Sequence, residues 1–157
     1  MTFSLNAISP IDGRYYAKAD KLRPICSEYG LIKHRVTIEI LWLIALSKNS
    51  KISEVPSFSE STLKTLHKII SSFSDNDAQA IKDIEQTTNH DVKAVEYWLK
   101  KTLANNKDVH AVSEFIHFGC TSEDINNLSY ALMLKDGVNN VILPEIIKLQ
   151  KKLNDYA

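Results

Sequence analysis

Two short segments place side chains suited to acid–base or anion-binding chemistry at predicted helix starts. The segments are TTNHDVKAVEYWLKK (87–101) and HFGCTSEDINNLS (117–129). The side chains concerned are Asn89, His90 and Asp91 in the first segment, and Thr121, Ser122 and Asp124 in the second. A helix start presents free backbone N–H groups and the positive end of the helix dipole, both of which attract anions. Two such starts in one small chain predict a site for a ligand that carries several negative charges.

Each of these clusters also has a simpler interpretation. Asn89 or Asp91 would be an ordinary N-cap, with His90 incidental, and Thr121 or Ser122 would only cap the helix that follows. In the functional interpretation, His90 hydrogen-bonds a phosphate or assists a proton transfer, because histidine side chains ordinarily titrate near neutrality. The two hydroxyls and the free N–H groups would then bind a carboxylate. The local sequence leaves both interpretations open.

An arginine in the N-terminal arm is a further candidate anion ligand. The pair Asp12-Gly13 indicates a turn, and Arg14 and Tyr15 come directly after it. Arginine is suited to this role because its guanidinium forms bidentate hydrogen bonds with phosphate. The alternative is an ordinary solvated arginine at the surface.

No metal or cofactor site is predicted from the motifs. His117 and Cys120 are three residues apart and His110 is nearby, but a second recognisable ligand pair is lacking. The sequence also contains no phosphate-binding P-loop, no glycine-rich dinucleotide fingerprint and no zinc-protease motif.

The composition favours an all-α protein. The chain has 157 residues, of which 44% are hydrophobic, with only four glycines and four prolines. Its 19 basic residues balance 19 acidic ones, which gives no support to nucleic-acid or membrane-surface binding. No signal peptide or apolar run of roughly 18–20 residues is visible. Two widely spaced cysteines favour reduced thiols, so we expect a cytoplasmic protein.

Periodicity and capping signals predict the order of elements. They indicate an extended or looped arm over 1–16, a short helix over 17–23 that Pro24 ends, and a buried helix capped by Ser27. A linker over 49–56 precedes an amphipathic helix with apolar residues from Leu63 to Phe73. The helices expected further along are one opened by a Ser74–Asp77 capping box, one over 92–103, a short one over 109–118, and a long final one that Pro144 kinks or divides.

Four sequence segments, taken in order, resemble the bacterial-type adenylosuccinate lyases of the fumarase/aspartase superfamily. The segments are SPIDGRY (9–15), SEYGLIKHR (27–35), TTNHDVKAVEY (87–97) and HAVSEFIHFGCTSEDINNLSYALMLK (110–135). Gly-x-Thr-Ser-x-Asp alone is typical of the wider superfamily. The Asp-Gly-Arg-Tyr arm and the Asn-His-Asp segment narrow the resemblance to this family.

The resemblance implies an all-α fold of the fumarase/aspartase type. An N-terminal helical domain would cover residues 1–110, and residues 111–157 would begin a central helical bundle, with the chain truncated inside a long helix. The family's active sites are composite and are assembled in a homotetramer. Neither nucleic acid nor membrane is an expected partner.

The resemblance also implies a β-elimination without a metal or organic cofactor. Adenylosuccinate would give AMP and fumarate, and SAICAR would give AICAR and fumarate. The substrate-binding residues that it implies are Arg14, Tyr15, Asn89, His90, Asp91, Thr121 and Ser122. His90 would contact the substrate and either orient it or transfer a proton, while the main acid and base would lie beyond residue 157. The chain alone would then be inactive; the alternative is a standalone, non-catalytic helical module that binds nucleotides or is purely structural.

Overall fold

The computed structural model describes residues 5–156, which form helices and turns and contain no strand. This confirms the all-α prediction. Eight α-helices follow one another along the described chain: α1 (Arg23–Cys26), α2 (Glu28–Lys48), α3 (Glu60–Ser72), α4 (Asp75–Thr88), α5 (Asp91–Thr102), α6 (Lys107–His110), α7 (Ser122–Gly137) and α8 (Leu143–Tyr156).

The arm is looped, as predicted, over its described residues 5–15; residues 1–4 lie outside the described part. The prediction that Pro24 ends a helix is wrong. Two short 3₁₀ segments, Tyr16–Lys18 and Asp20–Leu22, come first, and Pro24 lies in the first turn of α1. Proline is tolerated there because a first-turn residue needs no N–H donor and its fixed φ already suits a helix.

The long helix α2 begins where the sequence predicts and is largely buried. The Ser27 hydroxyl accepts a hydrogen bond from the Gly30 N–H at 3.3 Å, as an N-cap should. Its buried apolar residues are Ile32, Val36, Ile38, Ile40, Leu43, Ile44 and Leu46. Among them lie two buried charged residues, Arg35 and Glu39, which are 4% and 0% exposed.

The next two helices also begin at caps. Ser59 caps α3 by accepting the Thr62 N–H at 3.3 Å. At the start of α4 the predicted capping box is confirmed: Asp77 N–H donates to Ser74 Oγ at 3.4 Å, and Ser74 N–H donates to Asp77 Oδ2 at 2.9 Å. These bonds satisfy N–H groups that a helix start leaves without intrahelical partners.

The predicted short helix over 109–118 is wrong in its extent. The structure has α6, which ends at His110, and then a separate 3₁₀ segment, Ser113–Phe115. α6 starts earlier because the Asn106 side chain accepts the Val109 N–H at 3.1 Å and so caps it. His117, with φ of 66°, then takes a left-handed conformation that a helix cannot contain.

A π-helical segment, Val138–Ile142, lies between α7 and α8, and the residues that flank it, Gly137 and Leu143, both keep helical backbone angles, so the final helix does not end at Pro144. A kink at Pro144 stays a prediction. Pro144 is the second residue of α8 and has no N–H to donate into the preceding helical turn, where the π-helical segment lies. Within residues 5–156, no helix is both long enough and apolar enough to cross a membrane.

The chain forms two compact units. The first contains the residues up to Leu31 together with those from Leu132 onward, and the second contains Ile32–Ala131. In the first, Arg23 lies 3.3 Å from Asp12, and Lys21 lies 2.7 Å from Glu145. The fully buried core of the second includes Val36, Ile40, Leu66, Ile81, Val95, Leu99 and Ile125. The proposed domain boundary at residues 110 and 111 stays a prediction.

Candidate functional site

His90 itself caps the first candidate helix start. Its Nδ1 accepts the Lys93 N–H at 3.2 Å, which makes it the N-cap of α5. The simpler interpretation, with Asn89 or Asp91 as the N-cap, is therefore wrong. Asn89, with φ of 49°, ends α4 in a left-handed conformation, and Asp91 is the first residue of α5.

This cap determines which ring nitrogen of His90 carries the proton. An acceptor nitrogen has no hydrogen, so in the neutral ring the proton lies on Nε2. Nε2 is 3.5 Å from the Ser122 hydroxyl oxygen, at the outer limit of a hydrogen bond. The imidazole is half exposed, at 51%. His90 can therefore act as a neutral hydrogen-bond donor towards Ser122 and towards a ligand beside it.

Asp91 is engaged by its neighbours in the fold. Its Oδ2 lies 2.6 Å from Arg35 Nη2, and its Oδ1 accepts the Val92 N–H at 2.8 Å. Burial by itself would raise the pKa of Asp91, but the Val92 hydrogen bond and the positive charge of Arg35 together lower it below its usual value. The carboxylate is therefore held ionised, and direct binding of the substrate by Asp91 stays a prediction.

At the second helix start, Thr121 and Asp124 form a reciprocal capping pair. The Thr121 N–H donates to Asp124 Oδ2 at 2.7 Å, and the Asp124 N–H donates to Thr121 Oγ1 at 3.4 Å. Both the backbone and the side-chain bonds from Thr121 lower the pKa of Asp124. Thr121 is thus the capping residue, whereas the hydroxyl of the next residue, Ser122, faces His90. Direct binding of the substrate by Thr121 stays a prediction.

The fold thus brings His90 and Ser122 together from the starts of α5 and α7, in the second compact unit. Asn89, Asp91 and Thr121 are their immediate chain neighbours. Arg14 and Tyr15 belong to the first unit. There the Arg14 guanidinium lies 4.7 Å from the centre of the Tyr15 ring, and Tyr15 is 47% exposed.

An open groove of about 750 Å³ runs beside α4 and α5 but does not contain the candidate residues. The residues that line it include Asp83, Thr87, Thr88, Tyr97 and Lys101. His90 and Ser122 lie outside this set. The candidate site is therefore defined by the two helix starts and not by an enclosed cavity of this unit.

The sequence interpretation missed three polar residues of α2 that hold these segments. Arg35 contacts Asp91 and Asn126, and Glu39 contacts His117. Trp42 donates its indole N–H to the Phe118 carbonyl at 2.8 Å. Their spacing of i, i+4 and i+7 is the signal that was available, because it puts them on one face of a helix.

Glu39 and His117 form a close pair, with Oε1 and Nδ1 2.6 Å apart. Burial raises the pKa of Glu39, and the hydrogen bond from His117 opposes this only in part. His117 therefore already has a carboxylate partner in the fold. For Cys120, the other residue of the pair considered as a metal ligand, burial raises the pKa of the thiol. Among residues 5–156, no three His, Cys, Asp or Glu side chains are grouped so that they could hold a metal ion.

Comparisons with known proteins agree with the sequence resemblance. Residues 13–157 match a family described as "Lyase". The chain is similar to the adenylosuccinate lyases of Escherichia coli K12, with 56% identity over 98% of this chain, and of Haemophilus influenzae, with 55% identity over 98%. It is also 56% identical to that of Vibrio cholerae over 91% of this chain. The aligned part covers 34%, 34% and 31% of those proteins, so the chain spans about a third of the length of the curated relatives it matches.

Proposed function

The chain belongs to the lyase family matched by residues 13–157, and on this premise we propose that it is the N-terminal part of an adenylosuccinate lyase. The proposed reaction is elimination of fumarate from adenylosuccinate, which leaves AMP, and from SAICAR, which leaves AICAR. The single observation that supports this assignment best is the meeting of His90 and Ser122, 3.5 Å apart, at the starts of two helices.

The physical case for this substrate class rests on charge. The proposed substrates carry a phosphate and two carboxylates, and negative charge grows on one carboxylate when the neighbouring carbon loses its proton. The starts of α5 and α7 contribute positive dipole ends, while the N–H groups of Val92, Lys93 and Asp124 are already bonded within the fold. Donors that are already aimed at this carboxylate would stabilise the transition state, because they need no reorganisation when the charge develops.

In this proposal His90 and Ser122 form a relay of hydrogen bonds that ends at the substrate. The Lys93 N–H holds the Nδ1 of His90, so the neutral ring donates from Nε2 towards the Ser122 hydroxyl. The hydroxyl hydrogen of Ser122 is then free to be donated to a carboxylate of the succinyl group. A doubly protonated His90 would lose the acceptor that caps α5. We therefore assign His90 to substrate orientation and leave the main acid and base to segments outside this chain.

The remaining predicted contacts complete the proposal. Arg14 and Tyr15 bind the nucleotide phosphate from the exposed arm, and Asn89 contributes beside His90. The enzyme is a cytoplasmic homotetramer with composite active sites. Large exposed apolar side chains along α8, namely Leu143, Ile146, Ile147, Leu149 and Leu153, support association with further helices, because such patches are rarely left in water.

Product analysis with the purified full-length protein tests the proposed function. Incubation with adenylosuccinate should release AMP and fumarate in equal amounts, and incubation with SAICAR should release AICAR and fumarate. Residues 1–157 alone should show no turnover. A full-length protein that binds AMP but never releases fumarate would instead indicate a nucleotide-binding module and overturn the proposal.

A further inference from the structure

Arg35 is a buried arginine that contacts two separate helices. It lies in the middle of α2 and is 4% exposed. Its Nη2 is 2.6 Å from Asp91 Oδ2 at the start of α5, and its Nε donates to Asn126 Oδ1 in α7 at 2.9 Å. One rigid, planar guanidinium therefore spans from α5 to α7.

Both partners of Arg35 are next to the candidate site. Asp91 directly follows His90 in the chain. Asn126 lies four residues after Ser122, and therefore one helical turn further along the same face of α7. The path from His90 to Ser122 through Asp91, Arg35 and Asn126 thus consists of two charged or polar contacts and short, regular stretches of backbone.

Stability alone is a weak explanation for this arrangement. Removing the Arg35 guanidinium from water is costly, whereas its partner Asp91 stays 43% exposed, and well-packed apolar residues often stabilise a core equally well or better. Three apolar neighbours of Arg35 in α2, namely Ile32, Val36 and Ile38, are also buried. A buried guanidinium fork that donates two directed hydrogen bonds is better suited to holding a geometry.

Two further contacts lie along the same face of α2. Glu39, one turn after Arg35, holds His117, and Trp42 holds the Phe118 carbonyl at 2.8 Å. Both contacts restrain the loop that leads into α7, and His117 adopts its left-handed conformation there. The polar face of α2 thus meets the segment before α7 as well as α7 itself.

We infer that Arg35 is a positioning residue that sets the spacing between His90 and Ser122, and so between the two anion-binding helix starts. The inference rests on the proposed function for its catalytic readout. Arg35 does not touch the substrate and acts only through Asp91 and Asn126. Lysine cannot replace it, because a single ammonium group lacks the fixed fork that reaches both partners.

The first experiment compares Arg35→Lys with wild type in the full-length protein. A displacement of reacting groups by about 1 Å can cost about a hundredfold in rate, so we expect a loss of kcat/KM approaching that size. Asp108→Ala is the matched control. Asp108 anchors α3 through Ser59 and Thr62 in the same unit, and its loss should lower the melting temperature without changing kcat/KM.

A double-mutant cycle separates positioning from mere stability. Because His90 and Ser122 act on one another in wild type, His90→Asn and Ser122→Ala should be non-additive in kcat/KM. In the Arg35→Lys background the same two changes should become additive. Asn126→Ala, which keeps the Arg35–Asp91 pair, should show a smaller loss of the same kind and serves if Arg35→Lys does not fold.

Hydrogen exchange provides a readout that does not depend on turnover. The amides of Lys93 and Asp124 are bonded to His90 and Thr121, and they should exchange faster in Arg35→Lys than in an equally destabilised Asp108→Ala protein. Equal exchange, or coupling between His90 and Ser122 that survives in Arg35→Lys, would overturn the inference. An inactive wild-type protein would refute the proposed function, and the exchange data would still decide the role of Arg35.

Discussion

Thr121 and Ser122 are adjacent hydroxyl residues, and the structure predicts that substituting the first lowers stability whereas substituting the second lowers substrate affinity. Thr121→Val removes a hydroxyl that accepts the Asp124 N–H at 3.4 Å and donates to Asp124 Oδ2 at 3.0 Å. The stronger backbone contact, from the Thr121 N–H to Asp124 Oδ2 at 2.7 Å, survives. Ser122→Ala removes no capping bond and takes away only the hydroxyl that faces His90.

The expected magnitudes follow from these contacts. Loss of an N-cap costs about 0.5–2 kcal/mol of unfolding free energy, and the surviving backbone bond puts Thr121→Val in the lower half of that range. For Ser122→Ala, loss of a hydrogen bond to a charged carboxylate is worth about 1.5–3 kcal/mol, or roughly tenfold to a hundredfold in affinity.

The assay uses both single variants of the full-length protein. Calorimetry gives the melting temperature, steady-state kinetics give kcat and KM, and the reverse reaction gives separate affinities for fumarate and AMP. Ser122→Ala should weaken fumarate binding more than AMP binding and lower kcat, because the contact strengthens in the transition state. Thr121→Val should mainly lower the melting temperature.

The reasoning is refuted by either of two results. Equal losses of fumarate and AMP affinity in Ser122→Ala would show that the Ser122 hydroxyl does not bind a carboxylate of the succinyl group. A pure stability defect in Ser122→Ala, with normal kinetics, would show that Ser122 belongs to the cap. Ser122→Thr is a useful third variant, since it keeps the hydroxyl and should retain most of the fumarate affinity.

Three further predictions concern other residues. Arg14→Ala should raise KM about tenfold to a hundredfold with kcat nearly unchanged, as expected for a lost charge-assisted phosphate contact; an unchanged KM would exclude the contact. His90→Asn keeps an acceptor at the position of Nδ1 but lacks the Nε2 donor, so kcat/KM should fall strongly while the melting temperature stays nearly constant. Normal kinetics would show that His90 only caps α5 and does not contact the substrate. Glu39→Gln should flatten the pH dependence of stability, measured by urea unfolding. The pKa of Glu39 is raised above its ordinary 4.5 because the side chain is buried. Its contribution to the free energy of unfolding is therefore fully present below pH 4.5 and is lost as the pH rises through the folded-state pKa. Parallel plots of unfolding free energy against pH for the two proteins would contradict this.

The sequence by itself determined the helical class and several of the helix starts. The capping pairs at Ser74–Asp77 and Thr121–Asp124 were predictable because both partners are three residues apart and the bonds depend only on local backbone geometry. Its apolar positions likewise placed α2, which is apolar on most faces and largely buried, and α3, whose apolar face follows the helical repeat. The family resemblance also came from contiguous motifs and needed no tertiary information.

Local signals were insufficient where two structures compete within a few residues. Pro24 is compatible with the end of one helix and with the first turn of the next, and the structure has the second arrangement. Around Asn89 and His90, three neighbouring residues are all able to cap a helix. The left-handed backbone of Asn89 decides that His90 takes this role.

Only the tertiary structure decided which polar residues meet. His90 and Ser122 are 32 residues apart in the chain, and Arg35 and Asp91 are 56 apart. No local pattern encodes these distances, because they depend on how α2, α5 and α7 pack. The buried charges of Arg35 and Glu39 have the same origin: a polar residue in an apolar helix signals a partner, and only packing identifies that partner.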